Sequence, residues 1–376
     1  MKIAIEAQRL FRLNKHGMDF VALELLRHLQ KRNDGNEYHV IVAPGPDRCL
    51  LAEGNLSIIE LSCPSYLLWE QVALPLAVKR LKPDLLHCTS NTAPLFCSVP
   101  LILTLHDIIF LEPAKRKSPS FYQQAGRLYR RFVVPRILSR CKKVITVSHY
   151  EKERICLATG MPDKKVQVIY NACNTGFKPL VADACILNKY TPDTDFLFFL
   201  GNTDPKKNVE NVLLAYGLYL QRSAEKRPLL VADMNHQQMK RVLQRLNVGH
   251  IAAHIYCSDY IPQTDLAHLY NAAYVFLYPS LRESFGIPIL EAMACGTPVI
   301  TSQTSAMPEV AGQEALTVNP YSPEDIAQAL LHLETDAALY DRQKTYGLKR
   351  AHLFSWEKAA DELRKAYAAA GTSIGS

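Results

Sequence analysis

A chain of 376 residues, at roughly 150 per domain, implies two domains or three. It is 48% hydrophobic and 21% charged, with 16 glycines and 22 prolines. That soluble-globular balance excludes fibrous, collagenous or largely disordered protein. The formal charge is +7, and one stretch carries all of it: between Pro113 and Lys143 stand ten Lys and Arg and no Asp or Glu, leaving the remainder at −3.

The first residues, MKIAIE, read as a strand, Lys2–Glu6, and lack the basic, long-apolar and small-residue pattern of a secretory signal. Gly17 opens a helix predicted over Met18–Lys31. Strands follow at Tyr38–Ala43, Asp84–Cys88, Leu101–Leu105, Val144–Val147 and Val166–Tyr170. The apolar run Val99–Leu111 is interrupted by His106 and Asp107 and is shorter than the roughly 18 residues of a membrane span. Within the basic segment, Phe121, Tyr122, Leu128, Tyr129, Phe132 and Val133 recur at helical spacing. A basic amphipathic helix of this kind suits an anionic membrane surface. The bland alternative is a solvated face on a core helix, and no recognition motif accompanies the charge to suggest nucleic acid.

A polar stretch, Thr175–Asp195, reads as the interdomain linker. Strands resume at Phe196–Leu200, Pro228–Ala232, Val275–Tyr278, Pro298–Thr301 and Ala315–Val318, with helical patterns at Val209–Arg222, Asp265–Ala273 and Trp356–Ala368. Such alternation implies right-handed βαβ crossovers, hence an α/β protein with two doubly wound, Rossmann-like parallel sheets. Two such units facing each other would set their C-terminal strand ends around one cleft. The ten cysteines are scattered with no close pair, which speaks for reduced thiols in the cytoplasm rather than a zinc knuckle or redox pair.

Two segments carry chemistry. In Glu283-Ser284-Phe285-Gly286-Ile287-Pro288-Ile289-Leu290-Glu291, a strand ends, a loop carries Glu283, and a helix begins behind Gly286 with proline in its first turn. A helix start behind a glycine suits a phosphate, and carboxylates on either side suit sugar hydroxyls. The ordinary reading is a capping and a solvated glutamate. In Phe196 to Asn208, a strand runs through Gly201 and Asn202 to Lys206 and Lys207 at the next helix start, where ammonium groups can offset a departing diphosphate. The ordinary reading there is a solvated lysine pair.

With these residues the chain resembles the retaining, GT4-like glycosyltransferases of GT-B fold, whose spaced-glutamate signature here runs from Glu283 to Glu291. Ala294-Cys295-Gly296-Thr297-Pro298 and Ala306-Met307-Pro308-Glu309 are similar to further family elements. The resemblance is close in the C-terminal half and looser before it. It implies an acceptor-binding domain at 1–180, a nucleotide-sugar domain at 181–355, and a C-terminal helix, 356–376, returning to the first domain. It also implies Glu283 at the donor sugar, Glu291 at the ribose, amides of Phe285 and Gly286 at the phosphates, and Lys207 gripping the diphosphate. Asn202 stands where the family often has arginine, so Lys206 is expected to help. His106, ending the strand Leu101–Leu105, is similar to the family's active-site histidine. Gly17 alone remains of paired glycines in the first loop, with His16 and Asp19 beside it on the acceptor side.

The expected activity is transfer of a hexose-type sugar from a nucleoside-diphosphate sugar to an acceptor hydroxyl, without a metal cofactor. The basic segment suggests a lipid-linked or surface-glycan acceptor and a peripheral place on the inner membrane face. Alternatives are a sugar-nucleotide epimerase, a phosphorylase (for which no pyridoxal-phosphate lysine is found) and a non-catalytic membrane-surface protein. Asp193 and Asp195 have the spacing of a metal-binding pair but precede a strand, and no Gly-x-Gly-x-x-Gly or P-loop motif occurs.

Overall fold

The computed structural model describes residues 1–13, 15–112, 121–192 and 194–371, without the side chains of 121–123. Lys115, Arg116, Lys117 and Asp193 lie outside the described residues.

The chain divides into two compact units. The first comprises Met1–Asn171 with the terminal helix Trp356–Gly371, and the second Ala172–Ser355. The boundary therefore falls earlier than a 1–180 and 181–355 division. Its physical cause is local. The segment after Ala172 is fastened to the helix Gln263–Ala272, with Leu180 N donating to Asn271 Oδ1 at 2.9 Å and Asn271 Nδ2 donating to Lys178 O at 3.0 Å. Phe177 meets the Tyr270 ring edge-on at 5.8 Å. This stretch is part of the second unit and not a free linker.

The first unit holds β1 (Lys2–Glu6), β2 (Glu37–Val42), β3 (Leu56–Glu60), β4 (Leu85–Cys88), β5 (Leu101–Thr104), β6 (Cys141–Thr146) and β7 (Val166–Val168), all parallel, in the order β3-β2-β1-β4-β5-β6-β7. The second holds β8 (Phe196–Leu200), β9 (Leu229–Ala232), β10 (Ile255–Cys257), β11 (Ala273–Tyr278), β12 (Val299–Ser302) and β13 (Leu316–Val318), also parallel, in the order β10-β9-β8-β11-β12-β13. Strand order reverses between β1 and β4 and again between β8 and β11. Crevices outside the strand ends at such points are where open α/β sheets take ligands.

Central strands such as β8 and β9 are apolar throughout, as strands covered on both faces are. In β8, Leu197 and Phe199 join Val212, Leu213 and Tyr216 of the helix Val209–Arg222, while Phe198 turns to Tyr270 and Phe276 at ring distances of 5.4 and 5.7 Å. The terminal helix belongs to the first sheet's cover. Its Tyr367 is fully buried and meets His87 Nδ1 at 2.7 Å, and Arg364 Nε donates to Asp34 Oδ2 at 2.6 Å. Burial, then the neighbouring His106, pushes the His87 pKa down to about 3, so this imidazole is neutral.

Candidate active site

In the second unit the site is built at the β8/β11 reversal. Gly201 follows β8 where there is no room for a side chain: a Cβ would come within 2.8 Å of the Phe199 ring. Asn202 Oδ1 accepts from Asp204 N at 2.9 Å, and Asp204 caps the single turn Pro205–Lys207. Asn208 then adopts a left-handed φ of +64° and donates through Nδ2 to Pro279 O at 2.9 Å and Pro320 O at 2.6 Å. Leu281 N donates to Lys206 O at 2.7 Å, so the loops after β8 and β11 are fastened by backbone as well.

Lys207 Nζ lies 2.8 Å from Glu283 Oε1 and 3.1 Å from the Tyr278 hydroxyl, and 4.8 Å over the Tyr278 ring. Burial pushes the Glu283 pKa up, but the charges of Lys207 and Lys206, with hydrogen bonds from Lys207 and Tyr278, outweigh it and hold the carboxyl below its usual range. Lys206 itself sits 3.7 Å from Asp204 Oδ2. Ser305, with φ +62°, fixes the Glu283 backbone: Glu283 N donates to its Oγ at 3.1 Å, and that hydroxyl donates to Glu283 O at 2.5 Å.

Ser284 leads into Phe285, which is buried and edge-on to Phe354 at 5.8 Å. Gly286 takes a φ of +101°, where a Cβ would lie 3.1 Å from Ile289 Cδ1, and the helix Ile287–Ala294 starts behind it. Glu291 is one turn in and buried, its Oε2 accepting from the Tyr270 hydroxyl at 3.2 Å. Burial raises its pKa to about 7, against a lowering by that hydrogen bond. The arrangement presents two ammonium groups, a helix start and two carboxyls of different protonation tendency at one strand-end crevice.

In the first unit, His106 follows β5 and is buried. Its backbone N–H donates to Asn91 Oδ1 at 2.6 Å, and its Nε2 donates to Thr89 O at 3.0 Å, which leaves Nδ1 as the ring's acceptor. Burial lowers its pKa, so the imidazole is neutral. Gly17 begins the helix Gly17–Gln30, and the space where its Cβ would stand is open. His16 borders a pocket of about 380 Å³ with Arg9, Arg12 and Tyr66. Asp19 is turned inward: it accepts from His16 N at 2.8 Å and from Arg12 Nη2 at 2.7 Å, and only 4% of it is exposed. It therefore serves the helix start and Arg12, and its charge also reaches the His106 imidazole. Sequence reasoning missed Tyr278, Asn208, Ser305 and Asn91. Asn208 directly follows Lys207 of the quoted motif, but Asn91 and Ser305 carried no signal.

Two parallel Rossmann-like sheets, the second with a cation and a helix start at its reversal point, define a glycosyltransferase of GT-B fold. The family model for glycosyl transferases group 1 matches residues 188–350, and that for glycosyltransferase family 4 matches residues 16–177. The chain belongs to the GT4-like, group 1 glycosyltransferases. It is 29% identical over 269 residues to O-antigen chain mannosyltransferase B of Escherichia coli, covering 71% of this chain and 69% of that protein. It is 26% identical to the E. coli serotype-specific mannosyltransferase WbdA, over 77% of this chain but only 37% of that longer protein. The crystal structure of Anabaena HepE in complex with UDP shares the fold with a TM-score of 0.72 at 16% identity, covering 98% of this chain and 100% of that one.

Proposed function

We propose that the protein moves a hexose-type sugar from a UDP- or GDP-linked donor to an acceptor hydroxyl with retention of anomeric configuration. The acceptor is a lipid-linked or growing surface glycan. The observation that carries this reading is the convergence of the Lys207 ammonium and the Gly286 helix start at the β8/β11 reversal. A diphosphate docked there meets positive charge from both loops. As the glycosidic bond breaks, charge builds on the leaving oxygen, and Lys207 with Lys206 offsets it. Gly201 and Asn202 border the phosphates, and Ser284, Phe285, Gly286 and Ile287 form the helix entry behind them. Glu283 contacts the donor sugar and Glu291 the ribose hydroxyls. His106 is assigned to the donor sugar, and Gly17 and His16 to the acceptor side. Charge compensation comes from side chains and the helix start, so no step is assigned to a metal ion.

The O-antigen mannosyltransferase relatives support a polysaccharide acceptor and do not favour an epimerase. The test is release of nucleoside diphosphate from each candidate donor with and without glycan acceptor. Acceptor-dependent release that Lys207→Ala abolishes supports the reading. Sugar-nucleotide consumption independent of acceptor overturns it in favour of the epimerase.

The basic segment 113–143 is proposed to rest on an anionic membrane surface. Its described helix, Phe121–Leu138, exposes Leu128, Arg131, Phe132 and Arg136, and the Arg136 guanidinium lies 3.8 Å over the Phe132 ring. The neighbouring helical run 66–81 exposes Leu68, Val72, Leu76, Lys79 and Arg80 and is tied to it by Gln71 Nε2 donating to the Tyr129 hydroxyl at 2.7 Å. Apolar side chains among cations, with no exposed acid between them, suit headgroups and acyl chains together. No described helix is long and apolar enough to cross a membrane.

A further inference from the structure

The pocket of about 380 Å³ beside His16 is lined by two guanidinium groups and no carboxylate. Gln8, Arg9 and Arg12 follow β1, Ala43 and Pro44 follow β2, and Tyr66 follows β3, so it lies at the C-terminal ends of three adjacent strands of the first unit. Its size is within the roughly 300–1,000 Å³ of small-molecule sites. The loops that wall it are fastened to each other: Ala43 N donates to Gln8 O at 3.0 Å and Asp47 N to Phe11 O at 3.0 Å. Gly45 permits this approach, because a Cβ there would collide with Phe11 O.

Arg9 lies 5.2 Å over the Tyr66 ring and has no ion-pair partner among the described residues. The Tyr66 hydroxyl is held 3.0 Å from Glu70 Oε1 and 2.8 Å from Thr92 Oγ1, which fixes the ring and engages this acid at its far end. Burial pushes the Glu6 carboxyl up to about 7 against N–H bonds from Gln8 and Thr89 and the charge of Arg9, so near neutral pH it offsets Arg9 only in part. Arg12 gives Nε and Nη2 to Asp19 Oδ2 at 3.1 and 2.7 Å and keeps Nη1 without a partner among the described residues. Asp19 in turn reaches His106 by its charge, which sets the pocket one ion pair from that imidazole. Gln8 Oε1 is buried with no partner among the described residues, a costly state for an acceptor that a donor relieves.

We propose that this pocket holds a phosphate carried by the acceptor, bound by Arg9 and by Nη1 of Arg12, with the Gln8 amide turning to a sugar hydroxyl beside it. The inference rests on the acceptor-side reading above and gives the acceptor a charge. A planar guanidinium donates two parallel N–H bonds to anionic oxygens. The oxygens of a phosphate can serve two guanidiniums arriving from different directions, whereas one fork uses up both oxygens of a carboxylate. A soluble sugar phosphate and the diphosphate of a lipid-linked glycan share this chemistry.

Calorimetric titration of the whole protein with glucose 1-phosphate, a short-chain polyprenyl-diphosphate glucose in detergent, glucose and glucuronate tests this. At least one phosphate probe is expected to bind about tenfold or more tightly than glucose and glucuronate, as hydrogen bonds to a charged group allow. Arg9→Ala should erase that preference and Arg9→Lys only part of it, while Lys207→Ala leaves it in place. Equal binding of both phosphate probes assigns the pocket to a soluble sugar phosphate, and tighter binding of the lipid-linked one through Arg9 assigns it to the lipid diphosphate; either supports the proposal. No preference for phosphate, tighter glucuronate, or a preference that survives Arg9→Ala or disappears in Lys207→Ala would overturn it. If nucleoside diphosphates bind through Lys207 while the phosphate probes ignore Arg9, only this pocket's assignment fails. If the phosphate probes bind through Arg9 and no nucleoside diphosphate binds, the donor-site reading fails and the pocket stands.

Discussion

Lys207 and Glu283, 76 positions apart in sequence, hold each other at 2.8 Å across the two loops that end β8 and β11. Each side chain is largely covered, at 17% and 14% exposure, so solvent screens the pair only in part. On the proposed function, a diphosphate would compete with the carboxylate for the ammonium and free Glu283 toward the sugar.

Lys207→Ala should therefore lower the transfer rate by about 10²–10³-fold, the range seen when one group stabilising a charged transition state is removed. Steady-state kinetics with the cognate donor check this, with circular dichroism to confirm the fold. A rate within a few-fold of the parent would show that the charge of the leaving group is offset elsewhere.

Glu291, on the proposed function, should make nucleotide binding pH-dependent. Burial raises its pKa from 4.5 to about 7 in the folded protein. A raised carboxyl pKa favours folding most below the unfolded value, and this contribution is lost as the pH climbs from about 4.5 to about 7. Ribose hydroxyls donating to the ionised form would pull the pKa back down, so binding near pH 7 should release a proton and strengthen as pH rises. Calorimetry in two buffers of different ionisation enthalpy should give different heats for the parent and equal heats for Glu291→Gln. Equal heats for the parent would dissociate Glu291 from the nucleotide.

Gly286→Ala should lower stability by about 1–2 kcal/mol, because a φ of +101° is strained for any residue with a Cβ and Ile289 already occupies the space. Thermal melting reads the loss. Nucleotide affinity should fall with it, since the same backbone turn aims the helix start.

Sedimentation with anionic vesicles should show binding that weakens as salt rises, because exposed cations are screened over about 10 Å at 0.1 M. Leu128→Glu with Phe132→Glu should abolish it, both side chains being exposed and so dispensable for folding. Salt-insensitive or absent binding would count against the membrane assignment.

Periodicity and strand-end chemistry made much of this molecule legible. β1 and β8 occupy the predicted residues, Lys2–Glu6 and Phe196–Leu200, because the apolar stretches Ile3–Ile5 and Phe196–Leu200, buried on both faces, have few other solutions. β3 and β10 went unseen for opposite reasons. Leu56–Glu60 is a half-buried edge strand, and Ile255–Cys257 is three residues long. Lys207, Glu283 and Gly286 were legible because each stands where a strand stops. Their supports were not: Tyr278 looks like any core tyrosine, and Ser305 matters only once β12 brings it beside Glu283. The partners of Asp19 were not legible either, since a carboxylate next to a loop glycine signals a ligand as readily as a helix start and an arginine partner.

The first unit draws on both ends of the chain, and this sets an order on synthesis. Met1–Asn171 emerges early but lacks the terminal helix Trp356–Gly371 that buries Tyr367 against His87. The second unit, contiguous in sequence, can collapse as soon as it leaves the ribosome, whereas the one begun first must wait with an uncovered face until the helix that follows the second unit has been made. A stalled ribosome or a late frameshift would thus spoil the oldest part of the nascent protein and spare the younger.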